Sequence, residues 1–453
     1  MHHRLLKPLF FKNKFQFGIL GMDIHIPQLF VSQEKLETFN GVSSGKYTKG
    51  LGQRNMAVCD IDEDIQSMAL TTTQQLLNKF NIKPSEIGRL EVGTESQIDK
   101  SKSVKSTVMS LFNKENIYNV EGIDTINACY GGTQALFNTL GWMHSPEYDG
   151  RYGIVLTGDI AVYPNGPARP TGGAGMVGIL LGPNAPLTLE PLRHTYVEHA
   201  YDFYKPIPDS EYPIVDGHLS NDCYIRALHN CIDGYFEKAN RKYQIINNIG
   251  YLYEDAFIAD YKESGVTDNY MDYAIFHQPY SKLVEKSHAE LIDKTTSEKQ
   301  SKEQIKELFK KQTEISTILG KEMGNLYTGS LYAGLLSNLC LAPPTDIPGS
   351  RTIMFSYGSG LVSTMFSLKM NHDIMPWLST MRKTVNLKER LHNRTEITPE
   401  EYTKIMDRRE NANHEYLSNQ KHLLDPKLIE KQNDSTYYLR SVDPDTYKRI
   451  YSM

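Results

Sequence analysis

The chain has 453 residues, 40% of them hydrophobic and 23% charged, with 49 basic against 54 acidic side chains and a net charge of −5. This ordinary globular composition excludes wholesale disorder and fibrous classes, and the acidic balance argues against nucleic acid as a partner. Five cysteines, at 59, 129, 223, 231 and 340, have no CxxC spacing and make no disulfide framework, and no apolar run approaches the ~18 residues of a membrane span.

In the first 17 residues, Lys7, Lys12 and Lys14 interrupt the apolar run, which speaks against a secretory signal. One arginine and no serine there speak against a mitochondrial transit peptide, so a cytoplasmic protein is expected. Residues 17–31 read as a first strand closing at Pro27. Residues 62–80 read as an amphipathic helix, with Ile65, Met68, Ala69, Thr72, Leu76 and Phe80 at helical spacing and Asp60 or Asp62 as cap. Short strands follow at Leu90–Val92 and Asp124–Ala128. Cys129 comes next, then Gly131-Gly132 and a helix to about Met143. Tyr152–Leu156 and Met176–Leu181 are further strands.

The second half repeats this grammar. Tyr273–Phe276 is a strand closed by His277, a helix starts near Ser281, and 285–322 reads as solvated helix surface. Thr352–Ser356 is a strand leading into Tyr357-Gly-Ser-Gly360, and from about 385 the chain reads as a charged, helical, peripheral cap. Alternation of strand and helix through both halves predicts α/β layers, with a boundary placed near 195/196 between a half at 17–195 and a half at 196–453.

Some motifs mislead. Gly173-Ala-Gly175-Met-Val-Gly178 fits a dinucleotide fingerprint literally, but a strand-like run follows where a helix is required. Gly41–Lys46 is one residue short of a P-loop. His194 and His199 lack the HExxH order and a third ligand, so no metal is expected.

Cys129 is the most informative residue. A thiol between a strand and a helix start faces the positive end of the helix dipole, which favours thiolate, and Gly131-Gly132 would admit an acyl group. A buried structural cysteine fits the same position. Glu95 ends a strand in Val92-Gly-Thr-Glu-Ser96, where a carboxylate can project into a cleft as a base or simply be exposed in a loop. His277 ends a strand in the other half and reads as an acid or as a satisfied core histidine. All three sit at strand termini, where open α/β sheets place their sites. Lys282 and Lys286 share a helix face and suit a phosphate-bearing substrate or solvent.

At these residues the sequence resembles eukaryotic hydroxymethylglutaryl-CoA synthases, of the thiolase superfamily. The matching segments include Gly45-Lys-Tyr-Thr-Lys-Gly-Leu-Gly-Gln53, Ile87–Glu95, Glu121-Gly-Ile-Asp-Thr-Ile-Asn-Ala-Cys-Tyr-Gly-Gly132, Gly158-Asp-Ile-Ala161, Ala168-Arg-Pro-Thr-Gly-Gly173, His199-Ala-Tyr-Asp-Phe-Tyr-Lys-Pro206, Gly324-Asn-Leu-Tyr327 and Phe355–Leu361. The resemblance implies a thiolase-like fold of two similar halves layered α-β-α-β-α, assembled as a homodimer. It implies condensation of acetyl-CoA with acetoacetyl-CoA, without a cofactor, releasing CoA. Cys129 would carry the acyl group, Glu95 would be the general acid/base, and His277 would act on the acetoacetyl side. Thr171, Ser220, Lys282, Lys286, Asn325 and Ser359 would contact substrate. Ser43-Ser44 replaces the family's acidic-small pair, Pro167 replaces its Asn, and 232–272 looks longer than in the family. A thiolase would put a second cysteine in the turn that here holds Ser359, and an inert CoA-binding scaffold would not need Cys129, Glu95 and His277 together.

Overall fold

The computed structural model describes residues 16–208, 210–249, 270–296, 298–417, 436–443 and 445–453, with side chains not considered at 241–249 and 412–417. Residues 1–15, which carry most of the segment read for targeting, and 250–269 of the expected insertion lie outside the described residues.

Nine strands form one mixed sheet: β1 Phe17–His25, β2 Ile87–Gly93, β3 Asp124–Thr125, β4 Tyr152–Ala161, β5 Gly173–Pro183, β6 Leu187–Val197, β7 Tyr273–Phe276, β8 Arg351–Gly358 and β9 Val362–Met370. Their order is β7-β8-β9-β6-β1-β5-β4-β2-β3. The two wings follow one pattern outward from the centre: β1, β5 and β4 run antiparallel and β4 pairs parallel with β2, while β6, β9 and β8 run antiparallel and β8 pairs parallel with β7. The wings join through β1 and β6 at Gly18↔Thr188 and Ile19↔Leu187. A side chain at Gly18 would stand 2.1 Å from the Leu187 carbonyl oxygen, so glycine is needed at the joint.

The layers follow from which helix faces are apolar. Helices α2 (Gly131–Met143) and α5 (Ser330–Leu341) are buried along nearly their whole length. Their Leu136, Leu140, Leu335 and Leu339 share one core with Ile24 and Val177 of one wing and Met354 and Phe366 of the other. Helices apolar all round belong inside, and each buried Leu contributes roughly 1.5–3 kcal/mol. Helix α1 (Ile65–Phe80) packs Met68 and Leu76 onto Leu90, Ile154 and Leu156, and α3 (Gly217–Ile249) and α4 (Ser281–Thr295) pack Leu228 and Leu291 near Ile353 and Phe355. The result is α-β-α-β-α.

Three expectations need correction. Asp64, not Asp60 or Asp62, caps α1: its carboxylate accepts from the Gln66 and Ser67 N–H groups at 2.9 Å each, while Asp60 is drawn to Arg408 at 2.6 Å. The segment 285–322 is not all solvated surface, because Ser316, Thr317 and Leu319 are buried and the Thr317 carbonyl accepts from Gln278 at 3.3 Å. The C-terminal cap is also less peripheral than its charge suggests. Thr395–Ile397 pairs parallel with Leu29–Val31, and the hairpin Tyr438–Val442/Arg449–Ser452 is held by Arg449 and Tyr451 on Asp64 at 2.9 and 2.7 Å. Its charges serve ion pairs with the body. Among the described residues no helix is long and apolar enough to cross a membrane.

Candidate active site

The chain leaves β3 at Thr125, turns, and enters α2 at Gly131. In the turn Ala128 has φ +41°, a left-handed conformation that a side chain disfavours, immediately before Cys129. A Cβ at Gly132 would lie 1.9 Å from Thr157 Oγ1, and one at Gly93 would lie 2.3 Å from the Gly132 Cα. These glycines therefore serve the approach of α2 to β2 and β4. That packing, rather than the room for an acyl group expected from sequence, is what they supply in this fold.

Glu95 lies just past β2. Its backbone N–H donates to Asp159 Oδ1 at 2.7 Å, and Asp159 also accepts from Thr94 Oγ1, Ser96 Oγ and Thr328 Oγ1 at 2.7–2.8 Å. The Cys129 thiol donates to Glu95 Oε1 at 3.4 Å, and Lys205 Nζ stands 3.5 Å from Oε2. Burial pushes the Glu95 carboxyl up to about 7, against the pull of Lys205. Burial first, then Glu95 and Asp159, push the Cys129 thiol well above its ordinary range. The thiolate expected from the helix start is thus not the resting form. A helix dipole supplies about 0.3–1 kcal/mol, less than the desolvation of a buried thiolate beside two carboxylates.

His277 follows β7. Its backbone N–H donates to the Phe355 carbonyl at 2.8 Å, and its own carbonyl accepts from Tyr224 OH at 2.7 Å. The rings of Tyr224 and Tyr357, 5.0 Å apart, flank the imidazole on one side at 6.4 and 6.5 Å, and burial lowers it to about 3, so it is neutral. Tyr357 opens the turn that holds Ser359. Asp202 fixes that turn by accepting from Tyr357 OH at 2.8 Å and Gly360 N–H at 2.9 Å. Asn127 Nδ2 donates to the Ser359 carbonyl at 3.2 Å, and a Cβ at Gly358 would stand 2.5 Å from the Tyr130 nitrogen. The end of β8 therefore rests against the Cys129 loop, which brings the two halves together. Asn325 is buried, with Oδ1 accepting from Tyr327 N–H at 2.8 Å and Ser330 Oγ at 2.9 Å. Tyr163 stands edge-on to Tyr327 at 6.2 Å, and Thr171 Oγ1 donates to the Ala168 carbonyl at 2.7 Å.

The family model "Hydroxymethylglutaryl-coenzyme A synthase N terminal" matches residues 13–186, and its C-terminal counterpart matches 187–306 and 290–453. The chain belongs to the hydroxymethylglutaryl-CoA synthase family. It is 43% identical to hydroxymethylglutaryl-CoA synthase A of Dictyostelium discoideum, covering 96% of this chain and 91% of that protein. It is 41% identical to the cytoplasmic enzyme of Homo sapiens (96% and 86% covered) and to the mitochondrial enzyme of Bos taurus (96% and 89% covered). The solved structure of MvaS in complex with 3-hydroxy-3-methylglutaryl coenzyme A superposes with a TM-score of 0.80 at 27% identity, over 97% of this chain and 99% of that one. An HMG-CoA synthase complexed with CoA has a TM-score of 0.73 at 23% identity, over 96% and 99%, and shares the fold.

Other residues singled out by the family resemblance lie away from Cys129. Ser43 and Ser44 are exposed on a loop whose Gly45 N–H donates to buried Glu37 at 2.7 Å. This loop meets the start of α4: the Lys282 N–H donates to the Leu51 carbonyl at 3.0 Å, and Ser281 Oγ to Gln53 Oε1 at 2.9 Å. Lys282 and Lys286 are exposed there, with Lys282 paired to Glu285 at 2.7 Å. Ser220 is half-buried in the first turn of α3, and Pro167 is exposed. No direct contact links these residues to Cys129 among the described residues. Sequence reasoning did not single out Asp159, Asp202, Lys205, Tyr163 or Tyr327. All but Tyr163 lie within segments that match the family, yet nothing in their residue types marks them. The literal GxGxxG lies inside β5, where its glycines meet Met323, Leu326 and Thr72.

Proposed function

We propose that this chain condenses acetyl-CoA with acetoacetyl-CoA and water to give (3S)-3-hydroxy-3-methylglutaryl-CoA and CoA, in the mevalonate pathway to isoprenoids and sterols. The observation that carries the mechanism is the direct contact of Cys129 Sγ with Glu95 Oε1. Sγ attacks the acetyl thioester carbonyl as its proton passes to Glu95, and Glu95 returns that proton to the departing CoA thiolate. The restored carboxylate then removes a proton from the methyl group of the acetyl-cysteine. Backbone N–H groups at Cys129 and Ser359 are the candidates to hold the enolate oxygen, since the Gly360 N–H is committed to Asp202. The enolate carbon attacks the ketone of acetoacetyl-CoA. Neutral His277 donates an N–H hydrogen bond that stabilises that oxygen as the carbonyl π bond breaks, and the proton Glu95 took from the methyl group ends on it, which leaves the imidazole neutral and Glu95 again a carboxylate. Water finally cleaves the acyl-cysteine, releasing product and the thiol. No cofactor takes part, because the thioester itself activates the methyl group.

We assign Thr171, Asn325 and Ser359 to the acyl end of this site. Ser43, Ser44, Ser220, Lys282 and Lys286 suit the CoA end. We assign the halves 17–195 and 196–453 to the two partners of a duplicated unit; residue 195 falls within β6, which packs in the second wing. We assign the active species to a homodimer, supported by edge strand β3 and its exposed neighbours Tyr118, Ile123 and Ile126. The cytosolic placement rests on the composition of residues 1–17. The test of the activity is loss of acetoacetyl-CoA absorbance that depends on added acetyl-CoA. Loss without acetyl-CoA would point to a thiolase, and no loss to an inert scaffold.

A further inference from the structure

Lys205 has no part in the reaction as written, yet its place is built with care. It follows the short strand Phe203–Tyr204, which pairs antiparallel with Ile214–Val215. Its Nζ lies 3.5 Å from Glu95 Oε2, 4.8 Å from the centre of the Tyr327 ring and 5.9 Å from that of Phe203. The side chain is 19% exposed and that of Glu95 6%, so solvent screens the pair weakly. The two oxygens of Glu95 thus have separate partners, the thiol on Oε1 and the ammonium on Oε2.

We propose that Lys205 is a positioning residue for the condensation, which holds Glu95 ionised and turns Oε1 toward the acetyl group on Cys129. This rests on Glu95 being the base that removes the methyl proton. Cys129, Asp159, Tyr163, Tyr327 and Lys205 are the titratable groups that act on Glu95, and Lys205 is the cation among them. Burial and Asp159 favour the protonated acid; Lys205 opposes both. The balance leaves a carboxyl that titrates near neutrality, where a base must be unprotonated yet still basic. Contacts with the Tyr327 and Phe203 rings hold the ammonium sideways, so it orients the carboxylate as well as attracting it.

The test compares wild type with Lys205→Met and Lys205→Arg, reading the pH dependence of condensation and the final acetyl stoichiometry by mass. Removing the cation raises the Glu95 pKa, so the acidic limb of the profile should move up by about 1–2 pH units in Lys205→Met, with the rate partly recovered at high pH. Lys205→Arg should keep the limb near the wild-type position, and both variants should reach full acetylation. A limb that stays in place while the rate falls equally at every pH would overturn the proposal and make Lys205 a mere wall. A limb that moves equally in the Arg variant would also overturn it. Glu95→Gln, run alongside, tests the underlying reading: if its residual condensation keeps the same limb, the limb does not belong to Glu95 and the base assignment itself fails.

Discussion

The Glu95 and His277 sides of the site solve opposite electrostatic problems. Around Glu95, two carboxylates, a thiol and an ammonium crowd together, and hydroxyls and N–H groups satisfy the second carboxylate. Around His277 are aromatic rings, and burial alone sets its titration. A weak carbon acid needs a base whose charge is poised near neutral pH, so charge is tolerated there and balanced. A ketone oxygen about to become an alkoxide needs a hydrogen-bond donor already in place, and a neutral imidazole provides one without the cost of burying a cation. One side manages charge; the other avoids it.

The variant with the largest expected effect removes the group on which both sides act. Cys129→Ala should abolish acetyl-enzyme and lower turnover on the order of 10⁴–10⁶-fold, while the fold stays intact because the change removes one small, half-buried group. Labelled acetyl still bound to the variant after acetyl-CoA treatment would place the nucleophile elsewhere.

Glu95→Ala breaks the charged side alone. Condensation should fall ~10²–10⁴-fold, at the upper end for a sole base. Acetylation should still reach completion, because the loss of a proton acceptor is offset: the carboxylate that raises the thiol's pKa is lost with it. Mass and rate are measured on one preparation. If the final acetyl stoichiometry falls in step with condensation, the offset fails and the loss lies at the thiol; if condensation persists near the wild-type rate, Glu95 is not the carbon-acid base.

His277→Asn breaks the neutral side, and here the pH profile is the sharper reading. A carboxyl titrating at about 7 must be ionised to act, so the rate should fall as pH drops through that value. His277, depressed to about 3, stays neutral throughout that range and contributes no limb. The variant should therefore lose roughly 10²–10³-fold, as for removal of one transition-state donor, and keep the same acidic limb. Disappearance of the limb would show that the imidazole, not the carboxylate, titrates there.

The contrast between the two sides also marks what the sequence could reveal. Cys129, Glu95 and His277 stand past the ends of strands, but that position left an ordinary structural reading open for each, and the family resemblance supplied their roles; β1, β2, β4, β5, β7 and β8 were legible as apolar runs. Asp159 and Lys205 were not, because their meaning is electrostatic and arises only when β4 and the Phe203–Tyr204 strand converge on Glu95. The same holds for the thiol. Its helix start is visible in sequence, but the desolvation and neighbouring carboxylates that outweigh it are not. The strand at Thr395–Ile397 was hidden by its charges, since only Ile397 faces inward.

The smallest expected effect belongs to the outer lysines, where the charged-side logic should weaken with exposure. CoA carries several phosphate charges and the chain is net acidic, so attraction must be local, and Lys282 and Lys286 lie on one exposed face beside the Ser43–Gln53 loop. Lys282 is 54% exposed and already shares its charge with Glu285. Exposed pairs contribute about 0.2–1 kcal/mol, so replacing both lysines with Ala should weaken inhibition by CoA by roughly 5-fold at low salt. The deficit should shrink at high salt, where screening has already weakened the wild type. Condensation at saturating substrate should be unchanged, since neither lysine contacts the groups around Cys129. Equal inhibition of variant and wild type at low salt would move the phosphate site off this face. A loss that persists undiminished in high salt would show that the lysines act through packing of α4 against the loop, and the contrast between a buried, balanced charge and an exposed, screened one would not extend to the CoA end.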